Sequence, residues 1–310
     1  MSDPSTRAAT PARDQGWRSV PWDVLRGALM GAADAVPGVS GGTVALIVGV
    51  YERLLIAIRA VAAAVVLGVA ARGQAVRARL AEVDWRMLLP LVAGIGLAYP
   101  LAMITVAETV SSGHPWRVPV TALLLGLVLG SIRVPWRRLR QRRPAHLVVV
   151  ALAAALGFLL TGLPPAEIAA PALPVVFVGA AIGICAMILP GVSGAFLLQA
   201  MGLYQAVGTA LRELDLALLA TFAAGAAVGL GSFAKLLTWL LARAHDWTMA
   251  VLTGLLIGAL RALWPWIAGD RALQAPPADP ETALAAALAL VGAAAVVTLT
   301  WLGERGDARR

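Results

Sequence analysis

The sequence predicts an all-α polytopic membrane protein built from two inverted-topology repeats, each a re-entrant helical hairpin plus about three transmembrane helices. Three observations carry this expectation. The 310 residues are 60% hydrophobic and 14% charged, against roughly 25% charged in ordinary soluble chains, which leaves too little polar surface to coat a globule. Six apolar runs are each long enough to cross about 30 Å of hydrocarbon at 1.5 Å per residue. Two further apolar stretches are interrupted by a Pro-Gly turn, with the same residues at both breaks.

Taken in order, residues 1–21 are polar, rich in Arg, Pro and Ser, and without the apolar core of a signal peptide, so they read as a cytosolic tail. Residues 22–302 form a single transmembrane domain. The stretch 24–51, broken at Pro37-Gly38, predicts a hairpin whose arms of about 15 residues pass the bilayer midplane and are too short to span comfortably. An interfacial helix near 54–71 and an arginine-bearing segment at 71–86 follow on the cytosolic side. Crossings are expected at 87–110, 115–132, 146–163, 216–241, 247–267 and 282–302, with a second hairpin at 174–204. Repeat one covers about 22–145, the span at 146–163 being counted with it; repeat two covers about 174–302, and 303–310 is a second cytosolic tail.

Charge sets the orientation. Of the 25 cations all but Lys235 are arginine, and Arg133, Arg137, Arg138, Arg140, Arg142 and Arg143 crowd one loop. Such a cluster reads as a cytosolic anchor facing anionic headgroups, which also argues against a nucleic-acid partner. The links at 111–114, 164–173 and 268–281 then lie outside, and 243–246 and the C-terminus inside.

The breaks are the most specific signal. Pro37-Gly38-Val39-Ser40-Gly41 recurs 153 residues further on as Pro190-Gly191-Val192-Ser193-Gly194. Gly49, Tyr51 and Glu52 align at that offset with Gly202, Tyr204 and Gln205, and Gly126/Gly130 answer to Gly254/Gly258. An odd number of crossings separates the copies, so the repeats are inverted, an arrangement that places binding sites between discontinuous helices at the midplane. Each turn opens a returning helix, whose free N–H groups and dipole attract an anion. The candidate binding set is therefore Pro37, Gly38, Val39, Ser40, Gly41, Gly42 and Thr43, with Pro190, Gly191, Val192, Ser193 and Gly194. Either turn alone is explained as well by close packing; two copies in inverted halves favour a ligand site.

Lys235, deep in an apolar run, and Arg261, at the end of one, are candidates to pair with the anion, the alternative for Lys235 being a side chain that snorkels to the interface. Asp34 either carries a coupling proton or holds the turn by accepting from its amides. Glu52 and Arg53 form a gate or headgroup contact, or an interfacial ion pair. None of the three histidines clusters with the acids and Cys185 is the single cysteine, so no metal site, cofactor or disulfide is expected. Lys235 is not in a nucleotide-binding loop. No catalytic residue is assigned.

The run Gly27-Ala28-Leu29-Met30-Gly31-Ala32-Ala33-Asp34-Ala35-Val36-Pro37-Gly38-Val39-Ser40-Gly41-Gly42-Thr43, then Gly49-Val50-Tyr51-Glu52-Arg53-Leu54, is similar to the polyprenyl-phosphate transporter family. Pro190 to Gly194, Gly202-Leu203-Tyr204 and Gly258-Ala259-Leu260-Arg261-Ala262-Leu263-Trp264-Pro265-Trp266 extend the resemblance over about residues 22–302. It implies a transporter, not an enzyme, that moves undecaprenyl phosphate from the outer to the inner leaflet of the bacterial cytoplasmic membrane for reuse. Both termini would be cytosolic, the partners would be undecaprenyl phosphate or a related lipid phosphate and membrane lipids, and a monomer or homodimer is left open. A small-anion channel or exchanger is the first alternative. An undecaprenyl-diphosphate phosphatase is the second; that family's Pro-Gly-x-Ser-Arg signature has its arginine where Gly41 and Gly194 stand here.

Overall fold

The computed structural model describes residues 20–35, 39–69, 73–109, 114–269 and 271–308. Its helices are α1 (Val20–Asp34), α2 (Gly41–Ile47), α3 (Tyr51–Val69), α4 (Gly73–Ala81), α5 (Trp85–Thr109), α6 (Arg117–Ser131), α7 (Arg133–Arg137) and α8 (Pro144–Thr161). They continue with α9 (Leu173–Ile188), α10 (Gly194–Ala200), α11 (Tyr204–Glu213), α12 (Leu216–Arg243), α13 (His245–Ala259) and α14 (Pro280–Ala308), a 3-10 turn at Leu260–Leu263 extending α13. Six of these segments are long and apolar enough to cross a membrane: Trp85–Ala102, Arg117–Arg137, Pro144–Thr161, Leu216–Arg243, His245–Leu263 and Pro280–Trp301. They coincide with the six runs read from sequence. Helix α14 continues to Ala308, so the start of the expected second tail is helical; the first tail lies almost wholly outside the described residues.

Helix starts follow local chemistry. Asp215 accepts from the amides of Ala217 and Leu218 at the head of α12, at 3.1 and 3.0 Å, and Asp84 accepts from Met87 N at the head of α5. Both carboxylates satisfy donors that a helix leaves free and sit favourably against its dipole.

One packing scheme occurs twice. Helix α1 lies along α5 as α9 lies along α12, and α6 lies along α14 as α13 lies along α8. Lipid tails are as apolar as the helices, so association depends on close backbone approach through small residues. Gly126 and Gly130 of α6 rest on the backbone of Ala289 and Ala293, and Gly254 and Gly258 of α13 rest on that of Val150 and Ala154. Helix α3 reaches α12 where Ala62 meets Gly231.

The arms of the two broken stretches are unequal, where the sequence predicts equal arms of about 15 residues. Their first arms, α1 and α9, have 15 and 16 residues, but the returning arms α2 and α10 have only seven each. Just past them stand Gly49 and Gly202, both with φ of +75°, the left-handed conformation that ends a helix and that glycine adopts without penalty. The chain then turns into α3 or α11.

Candidate functional site

At the first break, Val36, Pro37 and Gly38 lie outside the described residues. Val39, Ser40, Gly41, Gly42 and Thr43 are all buried. Ser40 caps α2, its Oγ accepting from Gly42 N at 3.1 Å. The carboxylate of Asp34, at the end of α1, accepts from Gly41 N at 2.6 Å. A Cβ at position 41 would fall 2.3 Å from that carboxylate, so a larger residue would displace the Asp34 side chain. The anion-seeking end of α2 is thus filled by the chain's own carboxylate, an arrangement the sequence offered as one of two roles for Asp34.

The first turn is also sewn to the second. Ser40 Oγ donates to the carbonyls of Met187 at 3.1 Å and Leu189 at 3.4 Å, and Tyr51 Oη donates to Ile188 O at 3.1 Å. Thr43 Oγ1 accepts from Gly191 N at 3.0 Å. Carbonyls at the end of α9 lose helical partners because Pro190 cannot donate and the chain turns away, and in an apolar interior they need other donors. A cavity of about 110 Å³ remains beside the junction, lined by Asp34, Gly41, Tyr51 and apolar side chains of α3, α9 and α12. Removing the Tyr51 hydroxyl leaves Ile188 O without that donor, so Tyr51→Phe is expected to cost about 1–2 kcal/mol, measured by equilibrium unfolding in bicelles; an unchanged stability would mean that the junction is not held this way.

The second turn also ends in a serine cap and differs in chemistry. Ser193 caps α10, accepting from Phe196 N at 3.4 Å, and Pro190, Val192 and Gly194 are buried beside it. Gly191 has φ of +85° and lies against the backbone of Leu255 and Leu256 in α13, so a larger residue there would strain the backbone and push on α13. At the repeat offset Met187 replaces Asp34: a Cβ on Gly194 would meet Met187 Cγ at 2.4 Å, as one on Gly41 would meet the Asp34 carboxylate. The negative charge that fills the first turn is replaced here by a neutral thioether.

Two arginines stand near that end of the bundle. Arg271 places its guanidinium 4.1 Å over the ring of Phe196, three residues past Ser193, and donates to Gln199 Oε1 at 3.2 Å. Arg261 lies 4.5 Å over the Phe158 ring and donates to Phe158 O at 3.3 Å and Arg271 O at 3.2 Å, while its buried Nε has no hydrogen-bond partner. Among the described residues neither cation has a carboxylate partner. Burial first, and then the Arg261 charge, hold the Arg271 guanidinium below its ordinary value. A half-buried pair of like charges, whose donors go to neutral acceptors, favours an anion beside it.

The remaining candidates lie elsewhere. Lys235 is on the exposed face of α12, next to buried Ala234, and is not brought to either turn. Glu52 and Arg53 do not pair with each other: Arg53 binds Asp84 at 2.5 Å, and Glu52 meets Arg138 at 3.5 Å. Arg271 and Gln199 escaped the sequence reading because neither belongs to the repeated turn, and only folding brings residue 271 over residue 196.

A family described as undecaprenyl phosphate translocase-like matches residues 30–277. The polyprenyl-phosphate transporter of Vibrio cholerae serotype O1 is 38% identical over 245 residues, which cover 78% of this chain and 77% of that protein. No solved structure matches.

Proposed function

Because this chain belongs to the undecaprenyl phosphate translocase-like family, we propose that it is a multi-pass transporter that moves undecaprenyl phosphate, or a closely related polyprenyl phosphate, from the outer to the inner leaflet of a bacterial cytoplasmic membrane. The observation that carries this reading is the Arg261–Arg271 pair, two cations without a carboxylate partner among the described residues, set on Phe158 and Phe196 beside the second turn. A phosphate monoester fits that chemistry: two guanidinium forks for a dianion, and aromatic and aliphatic surroundings for the first units of a prenyl chain. Burying the headgroup elsewhere in the bundle would be costly without such partners.

Inverted repeats explain how a site facing one leaflet can come to face the other. Three crossings, α5, α6 and α8, separate the two broken stretches, the glycine contacts recur in both halves, and Gly49 and Gly202 share one conformation. With the arginine loop inside, the first hairpin enters from the cytosol, the second from outside, and both termini are cytosolic. The hydrogen bonds of Ser40, Thr43 and Tyr51 to residues 187–191 then join the hairpin tips, and transport requires this seam to open. Pro190 to Gly194 contribute the second turn to the phosphate path. Val39 to Thr43, with Asp34, form the seam's other lip, and Glu52 and Arg53 act as ion-paired struts. A phosphatase has less support, because the arginine of that family's signature is replaced by Gly41 and Gly194.

The test is transfer of undecaprenyl phosphate between leaflets of proteoliposomes, with diphosphate-lipid hydrolysis and chloride flux followed on the same preparation. Transfer without hydrolysis or flux is expected. Hydrolysis or chloride flux without transfer would overturn the cargo.

A further inference from the structure

The glycine repeat continues further than the turn repeat suggests. Gly126-x3-Gly130-x2-Arg133-x2-Trp136 recurs as Gly254-x3-Gly258-x2-Arg261-x2-Trp264. The glycines occupy equivalent packing positions, Gly130 against Ala293 of α14 and Gly258 against Ala154 of α8. Arg133 is therefore the counterpart of Arg261, placed by the same helix register just beyond the same contact.

The two arginines lie at opposite ends of the bundle. The loop after Arg133 is pinned to the start of α13: Asp246 accepts from Arg140 N at 2.9 Å and Gln141 N at 3.0 Å, and His245 Nε2 meets Arg138 O at 3.1 Å. Arg261 follows the other end of α13, a helix of 15 residues, or about 22 Å at 1.5 Å per residue.

Around Arg133 the chain leaves a cavity of about 490 Å³, lined among others by Arg26, Arg133, Arg137, Arg138, Gly49 and Thr300. Three of its cations are engaged, Arg26 with Asp23 at 2.7 Å, Arg138 with Glu52 at 3.5 Å, and Arg137 in a contact of its own. Arg133 has no carboxylate partner among the described residues. The described lining holds four guanidinium groups and no carboxylate, and Gly49 sets it at the end of the first returning arm.

We propose that this arginine-lined cavity is a second phosphate-monoester site, centred on Arg133 and related to the Arg261 site by the internal repeat, where the headgroup of the transported lipid is released on the cytosolic side. The inference rests on the transport reading and adds to it a separate station, with its own residues, for the end of the journey. Four cations at one mouth lower the energy of a dianion there, and the engaged partners Asp23 and Glu52 allow Arg26 and Arg138 to exchange between carboxylate and phosphate.

The test uses the full chain in proteoliposomes and a farnesyl phosphate carrying a photoactivatable diazirine, with labelled peptides mapped by mass spectrometry. Peptides containing residues 47–49 and 133–138 are expected to label. Arg133→Gln should lower that labelling about tenfold, the loss of a charge-assisted contact to the phosphate, while peptides containing 261–271 remain labelled. Arg133→Lys should recover part of it, since charge returns without the bidentate fork. Excess farnesyl phosphate should suppress the signal more strongly than equal inorganic phosphate. Equal suppression by inorganic phosphate would identify a free-phosphate site and overturn the release station. Absence of labelling at 133–138 in wild-type protein that transfers undecaprenyl phosphate would also overturn it, leaving the transport reading intact. Absence of transfer by the wild type would instead strike the transport reading. Should Arg133→Gln fail to fold, the wild-type labelling and its competition still decide.

Discussion

Replacing both Arg261 and Arg271 by glutamine should slow the transfer of undecaprenyl phosphate in proteoliposomes by about a hundredfold or more, with the protein still folded. Each arginine would supply a charge-assisted, potentially bidentate contact, and contacts of this kind are worth about 1.5–3 kcal/mol apiece, or roughly ten- to hundredfold each. Folding should survive because, among the described residues, the native pair has no carboxylate to leave stranded: its donors go to Phe158 O, Arg271 O and Gln199 Oε1. Removing two like charges from a partly buried place also relieves repulsion. Arg261→Lys alone should fall between wild type and Arg261→Gln, since an ammonium keeps the charge and loses the planar fork. Transfer at the wild-type rate by the folded double variant would remove the arginine pair from the transport path.

The second large effect is on folding. A Cβ at Gly126 would lie 2.0 Å from Ala289 O, and one at Gly254 would lie 2.4 Å from Val150 O. Both obstacles are backbone atoms of a packed helix, which no rotamer change can move aside. Gly126→Val and Gly254→Val should each force the helix pair apart and cost on the order of 3 kcal/mol or more, since close approach is what holds apolar helices together in lipid. Gly96 supplies the control: it lies on the exposed side of α5 with open space where its Cβ would be. Gly96→Ala should be neutral or stabilising by up to about 1 kcal/mol, from the lower helix propensity of glycine. Equilibrium unfolding in bicelles compares them, and equal stability of the Gly126, Gly254 and Gly96 variants would show that close approach at α6–α14 and α8–α13 is not what holds the halves.

Much of the fold was legible because the constraint that sets it is local. Hydrocarbon demands about 20 apolar residues with every backbone group satisfied within the helix, so the six runs fixed six helices before any packing was known. The repeated glycines were equally legible, since Gly126/Gly130 and Gly254/Gly258 at four-residue spacing lie on one helix face wherever that face packs. The shortness of α2 and α10 was hidden. Residues 41–51 read as one apolar arm, and only the left-handed backbone at Gly49 and Gly202 shows where each arm stops.

The candidate site was legible as a pattern and not as chemistry. The two Pro-Gly-Val-Ser-Gly copies stated that two turns share a backbone plan, and Ser40 and Ser193 do cap the helices that follow them. The same letters did not reveal that one turn is already occupied. Asp34 reaches Gly41 because α1 ends where α2 begins, whereas Met187, its counterpart, brings no charge.

By itself, then, the sequence determined a helical membrane protein with six crossings, a doubled Pro-Gly turn, helix faces lined by glycine and a family to which the chain is similar. Apart from the family, which rests on resemblance, these properties follow from composition, periodicity and short-range backbone chemistry, which act within a few residues of one another. Tertiary structure alone decided which groups meet: Asp34 turned onto the Gly41 amide, Glu52 and Arg53 sent to different partners, Lys235 left on an outer face, and Arg261 donating to the carbonyl of Arg271. Electrostatic pairing depends on separations of a few ångströms between side chains that can be far apart along the chain, and packing sets those separations.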